Sequence, residues 1–155
     1  MKTTIHRIAA AAMALLMAGV ATANNWKDVD YVGDGLTGHK LDIYTPDDGQ
    51  STHKVVVLIY GSAWFSNNSK VDAFKSYGQQ LLDAGFAVVS INHRASTEAK
   101  FPAQIQDVKA AIRYVRGNAS KYGLDTSFIG ITGYSSGGHL SSLAGTTNGV
   151  KTRKF

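Results

Sequence analysis

The chain has 155 residues and a formal net charge of +5 at pH 7, with 44% hydrophobic residues, 16 glycines and no cysteine. Without cysteine there are no disulfides, no thiolate chemistry and no Cys-ligated zinc, so stability has to come from an ordinary apolar core. Apart from Lys151, Arg153 and Lys154 the basic residues are scattered and form no face with interleaved aromatics, which argues against nucleic-acid binding.

In chain order, the first segment reads as an export signal. Lys2 and Arg7 make a positive start, Ile8 to Val20 is apolar but short for a bilayer span, and Ala21-Thr22-Ala23 gives a small-x-small cleavage pattern. The expectation is a signal peptide over residues 1–23, a mature chain from Asn24, and a secreted or periplasmic location. No later stretch reads as membrane-spanning, and residues 24–155 suit one small domain with a core of its own.

Two alternating stretches follow, around Asp28 to Val32 and Lys40 to Tyr44, and they predict a solvent-facing antiparallel hairpin. Lys54 to Tyr60, "KVVVLIY", has no polar alternation and predicts a strand buried on both faces; Phe86 to Ile91 and Phe128 to Thr132 repeat that character. Between them, Val71 to Asp83 carries Phe74, Tyr77 and Leu81 at helical spacing and stops at Gly85. Pro102 to Tyr122 carries the stripe Ile105, Val108, Ile112 and Val115 and stops at Gly123. A third helix is expected just after Ser135. A hairpin followed by strand–helix units predicts an α/β fold, a mainly parallel sheet with helices on both faces.

Reactive groups in such sheets gather at the carboxyl ends of the strands. Residues 130–140, "GITGYSSGGHL", stand there. The pattern Gly-x-Ser-x-Gly fits only the register Gly133-Tyr134-Ser135-Ser136-Gly137, which makes Ser135 the candidate nucleophile on a strained strand-to-helix turn. A developing oxyanion needs donors: the N–H of Ser136, which follows the serine, and the loop after the first buried strand, "YGSAWF", residues 60–65.

"LDIYTP", "VVVLIYGSAWF", "LLDAGFAVVSINHR", "AKFPAQIQDVKAAIRYVR" and "ITGYSSGGHLSSLAG" together resemble, in order and spacing, the α/β-hydrolase esterases of the BD-FAE-like (bifunctional feruloyl and acetylxylan esterase-like) group. The resemblance implies a three-layer α/β-hydrolase fold and a carboxylic ester hydrolase, commonly one that removes acetyl or aromatic acyl groups from plant polysaccharides. By position it implies Ser62 and Ala63 as first-loop oxyanion donors beside Ser136, with Trp64 and Tyr134 lining the pocket. Where such proteins carry His-Gly-Gly-Gly-Trp, this chain has Tyr60-Gly61-Ser62-Ala63-Trp64, which gives up two glycines and their ease at positive φ.

A serine also needs a base, and the base a carboxylate. In this family the order is Ser, acid, His, yet no Asp or Glu follows Ser135, and the one later histidine, His139, is expected to pack against the turn. His39 and His53 read as solvated, His93 as a remote candidate for a surrogate base, and Asp107 as a structural partner of Arg94. The resemblance thus implies an N-terminal part of the fold, truncated after about the fifth strand, with triad acid and histidine not present and Ile129 and Ile131 on an exposed sheet edge. Neither a metal constellation nor a phosphate-binding glycine loop is visible, so the expected cofactor is none. The expected partner is a small-molecule or polysaccharide ester. The alternatives are a non-catalytic secreted carbohydrate-binding or interaction module built on Trp64, Phe65 and Tyr134, and a peptidase or lipase on the same scaffold.

Overall fold

Strand β3, His53–Ile59, is the middle of the molecule, and the side chains along it alternate between two cores. Val55, Val57 and Ile59 point to one face, where they join Leu41, Ile43, Val89, Ile91, Val108, Ala111, Val115 and Leu140. Leu58 and the following Tyr60 point to the other, against Tyr44, Val88, Ala73, Phe74 and Leu81. A strand with apolar neighbours on both sides has no place for a polar alternation, which is why its sequence is a continuous β-branched run.

The computed structural model describes residues 24–149; the expected export segment, residues 1–23, and the basic C-terminal cluster lie outside the described residues. The sheet has five strands in the order β1-β2-β4-β3-β5. Strands β1 (Asn25–Asp30) and β2 (Lys40–Tyr44) form the antiparallel pair, β2 runs antiparallel to β4 (Ala87–Ile91), and β3 lies parallel to both β4 and β5 (Leu124–Gly133). After β3 the chain moves to one side to make β4 and then crosses back to make β5 on the other. The carboxyl end of β3 is therefore the point where the winding reverses, the place where open α/β sheets put their sites.

Helix α1 covers one face over residues 70–83, as Lys70–Ala73, a π-helical segment Phe74–Gly78, and Gln79–Asp83. Helices α2 (Ala103–Gly117) and α3 (Ser136–Thr146) cover the other. The α2 stripe is the expected one, but the α-helix ends at Gly117, and Ala119–Tyr122 is a 3₁₀ turn leading to Gly123 at φ 63°. Strand β5 starts four residues before the expected Phe128. Lys54 pairs with Asp125 and Val55 with Ile129, so the residues between them bulge out of the ladder and hide the period.

The antiparallel pair faces solvent only along β1, where Asn25, Lys27 and Asp28 are exposed; β2 is buried from Leu41 to Tyr44 despite its alternation. Asp42 is fully buried, because Lys70 at the start of α1 reaches over it with Nζ 2.9 Å from its carboxylate and 2.8 Å from Asp28. Lys70 is itself 3% exposed. A polar alternation here marks a face sealed by an ion pair, which is where sequence period and solvent exposure part company.

On its outer side β5 has no partner strand among the described residues. Ile129 and Ile131 are half-buried and line a groove of about 300 Å³ with Ile112, Arg113, Arg116 and Ala144. Among the described residues no helix is long and apolar enough to cross a membrane.

Candidate active site

Two glycines let β5 and α3 meet the end of β3. A Cβ on Gly137 would lie 2.3 Å from the Ile59 carbonyl oxygen, and one on Gly133 would lie 2.5 Å from the same atom. Neither distance is compatible with a side chain, so the Gly-x-Ser-x-Gly spacing is dictated by backbone packed on backbone. Between the two glycines, Ser135 stands at φ 52° and ψ −126° as the residue before the first turn of α3. A non-glycine residue in that region costs about 1–3 kcal/mol and persists only where its surroundings over-determine it. Ser135 is exposed, while Ser136 beside it is 3% exposed.

The loop after β3 packs directly onto this turn. Gly61 leaves no room for a side chain: a Cβ there would come within 2.6 Å of the Tyr134 carbonyl oxygen and 2.8 Å of Ser135 Cβ. Beyond it, Ser62 to Phe65 form a tight turn in which Phe65 N–H donates to the Ser62 carbonyl at 2.9 Å, with Ala63 at φ 48° and Trp64 at φ 63°. The two residues that stand where the resemblance has glycines or follows them thus take the left-handed conformation without glycine, at roughly 1–2 kcal/mol each.

Hydrogen bonds of about 1 kcal/mol each offset that strain. Ser62 N–H donates to Ser136 Oγ at 2.9 Å, Ser66 N–H donates to Ser62 Oγ at 3.2 Å, and Ser96 N–H donates to the Trp64 carbonyl at 2.8 Å. Beneath the loop, Tyr60 is fully buried and donates to the Ser66 carbonyl at 3.0 Å.

Two ring contacts tie the turn to its neighbours. Trp64 meets His139 edge-on with ring centroids 5.3 Å apart, and Tyr134 meets Tyr77 of the π-helical segment at 6.1 Å. Phe65 and Tyr134 are 67% and 44% exposed, which leaves one open aromatic surface on the loop after β3 and one on the residue before Ser135. The His139 ring is engaged by Trp64, as packing against the turn requires, and no histidine hydrogen-bonds Ser135 among the described residues.

The other histidines depart from their expected places. His39 is not solvated: it is 5% exposed, with Nδ1 2.7 Å from Asp34 and Nε2 3.2 Å from Asp107. His53 is 6% exposed, with Nε2 2.9 Å from Asp48. Each is drawn in by a carboxylate on a neighbouring segment. His93 is fully buried, stacks on Tyr60 at 4.8 Å and uses Nδ1 on the Arg94 carbonyl, and burial pushes its pKa down. Buried in the core while Ser135 is exposed, it has no geometry for a base. Asp107 does pair with Arg94, through Nε and Nη2 and through the Arg94 backbone N–H at 2.9 Å, tying the loop after β4 to α2. No group of three His, Asp or Glu residues is placed to hold a metal among the described residues.

Sequence reasoning missed the contact between Ser62 and Ser136. The residues are 74 positions apart, and a small hydroxyl side chain in a glycine-rich turn carries no signal of a distant partner.

The BD-FAE family model matches residues 41–154. Over 122 residues the chain is 42% identical to the "Probable carboxylic ester hydrolase LipM" of Mycobacterium tuberculosis, which covers 77% of this chain and 28% of that protein. Among solved structures, the "Bifunctional GH43-CE" of Bacteroides eggerthii superposes with a TM-score of 0.82 at 69% identity, over 84% of this chain and 18% of that one. The "Truncated form of carbohydrate esterase from gut microbiota" gives a TM-score of 0.83 at 60% identity, over 88% of this chain and 48% of that one. The chain thus spans less than half the length of each of these three proteins.

Proposed function

This chain belongs to the BD-FAE family, and on that premise we propose that it carries the nucleophile and oxyanion donors of a serine carboxylic ester hydrolase acting on acylated polysaccharide. The α/β-hydrolase fold puts Ser135 at the carboxyl edge of the sheet. The observation that carries the reading is its strained backbone, φ 52° and ψ −126°, at the junction of β5 and α3 and against the loop of Gly61 to Phe65.

In this reading Ser135 Oγ attacks the ester carbonyl carbon and gives its proton to water, the ester C–O bond breaks and the alcohol leaves protonated by water. A second water hydrolyses the acyl-serine, and the oxyanion formed at each attack accepts hydrogen bonds from backbone N–H groups. Ser136 N–H is one of them, at the start of a helix whose dipole favours negative charge. Of the two first-loop residues expected as donors, Ser62 has its N–H on Ser136 Oγ, and Ala63 therefore supplies the other. Trp64 and Tyr134 border the acyl pocket. The described residues place no base beside Ser135, and a nucleophile helped only by donors and binding keeps on the order of 10³–10⁴ over the rate in water.

Two things support a carbohydrate ester as the substrate. The solved relative at 60% identity is a carbohydrate esterase, and Phe65 and Tyr134 offer exposed rings of the kind that sugars and aryl acyl groups stack on. We also propose export, from the pattern of residues 1–23; N-terminal sequencing of the processed protein should then begin at Asn24.

The test is release of acetate from acetylated xylan and of ferulate from methyl ferulate, with a peptide anilide and a long-chain lipid ester alongside. Slow release from the first two that disappears in Ser135→Ala supports the reading. Release that Ser135→Ala leaves intact contradicts it, and a preference for the anilide or lipid ester moves the assignment to a peptidase or lipase.

A further inference from the structure

Among the described residues a single hydrogen bond joins the loop of residues 61–66 to the turn of residues 133–140, and it is the one from Ser62 N–H to Ser136 Oγ. We propose that the Ser136 hydroxyl is a positioning residue: by holding Ser62 it fixes the Ala63 N–H in register with the Ser136 N–H, so that one residue presents a donor with its backbone and aligns the opposite donor with its side chain. The inference rests on the reading of Ser135 as the nucleophile and adds a role for the residue after it.

Ser62 N–H does not point to substrate, because its acceptor is a protein oxygen that is buried with the rest of Ser136. The residue that follows Ser62 in the turn is Ala63, exposed and left-handed, so its N–H direction depends on where Ser62 is pinned. The pin has two further attachments on Ser62 itself, the carbonyl that accepts from Phe65 and the hydroxyl that accepts from Ser66; all three polar groups of this one residue serve the turn. Glycines in this loop could reach positive φ without help, whereas Ala63 and Trp64 need an external hold. The contact to Gly61 sets how close the loop can approach, and the Ser136 hydroxyl sets its rotation over the serine.

The test is the concentration dependence of labelling by a fluorophosphonate, whose phosphoryl oxygen occupies the place of the oxyanion. In this reaction the Ser135 Oγ–P bond forms, the P–F bond breaks, fluoride leaves and the hydroxyl proton passes to water. Ser136→Ala keeps its backbone N–H and removes only the hold on Ser62. The expected result is a maximal labelling rate lower by about 10- to 100-fold, the half-saturating concentration within about twofold, and a thermal transition lower by only a few degrees, the loss of about one hydrogen bond. If Ser136→Ala does not fold, Ser136→Cys, close in size but a weak acceptor, is read the same way and is expected to label at a rate nearer the alanine range than wild type. A wild-type chain that labels and a folded variant that labels as fast overturn this inference alone. A wild-type chain that takes up no probe overturns it together with the reading it rests on.

Discussion

Gly137 lies so close to Ile59 that a single added methyl would stand 2.3 Å from the Ile59 carbonyl oxygen. Gly137→Ala should therefore destabilise the fold by about 3 kcal/mol or more, since the obstacle is backbone and cannot rotate away. Gly145 in the same helix has nothing within 4 Å of its Cβ position, and Gly145→Ala should stabilise by about 0.5–1 kcal/mol through helix propensity. Urea unfolding of the two variants beside wild type checks both signs at once.

The turn of Ser62 to Phe65 holds Ala63 at φ 48°. Ala63→Gly should remove that strain and lose part of the gain to a freer unfolded chain, for a net change within about 1 kcal/mol of wild type on the stabilising side. Ala63→Val puts a β-branched side chain in the same conformation and should cost about 2 kcal/mol. Equal stabilities for the two variants would mean that the left-handed turn is not kept in solution.

Lys70 and Asp42 form a buried ion pair, with side chains 4% and 1% exposed. Lys70→Met takes from the buried Asp42 carboxylate its nearer cation, leaving Lys27 at 3.9 Å, and should cost about 3 kcal/mol. Asp42→Leu combined with Lys70→Met should cost much less than the sum of the single changes. Thermal unfolding of the four proteins in this cycle gives the coupling directly.

His93 is buried, and burial holds its pKa below the ordinary 6.5. As the pH falls below about 6.5 the unfolded chain binds a proton that the folded chain refuses, so stability is present at neutral pH and is lost on acidification. Between about pH 7.5 and about pH 5 the melting temperature should fall less steeply in His93→Phe, which keeps a ring against Tyr60 but cannot titrate. An identical pH slope in the two proteins contradicts the burial argument.

Much of the fold was legible because β3 and β4 are buried on both faces and say so in an unbroken apolar run, and because α2 carries a clean stripe. The register of the serine motif was legible too, since the glycines on either side answer to a backbone contact that any such turn must make. Polar residues were read less well. His39, His53 and Asp42 looked solvated because their neighbours in sequence are polar, but all three are buried: His39 meets Asp107, 68 positions away, Asp42 meets Lys70, and His53 meets Asp48 in the turn just before it. The Ser62–Ser136 bond belongs to the same class. Alternation reports which face a residue takes, while a pairing partner decides whether that face is wet.

The placement of Ser135 as nucleophile is tested most directly by peptide mapping of the chain after exposure to a fluorophosphonate. An adduct with the mass of the phosphonyl group is expected on the peptide that contains Ser135, lost in Ser135→Ala, while Ser136→Ala still labels at a reduced rate. An adduct on another serine, or labelling that survives Ser135→Ala, would contradict it.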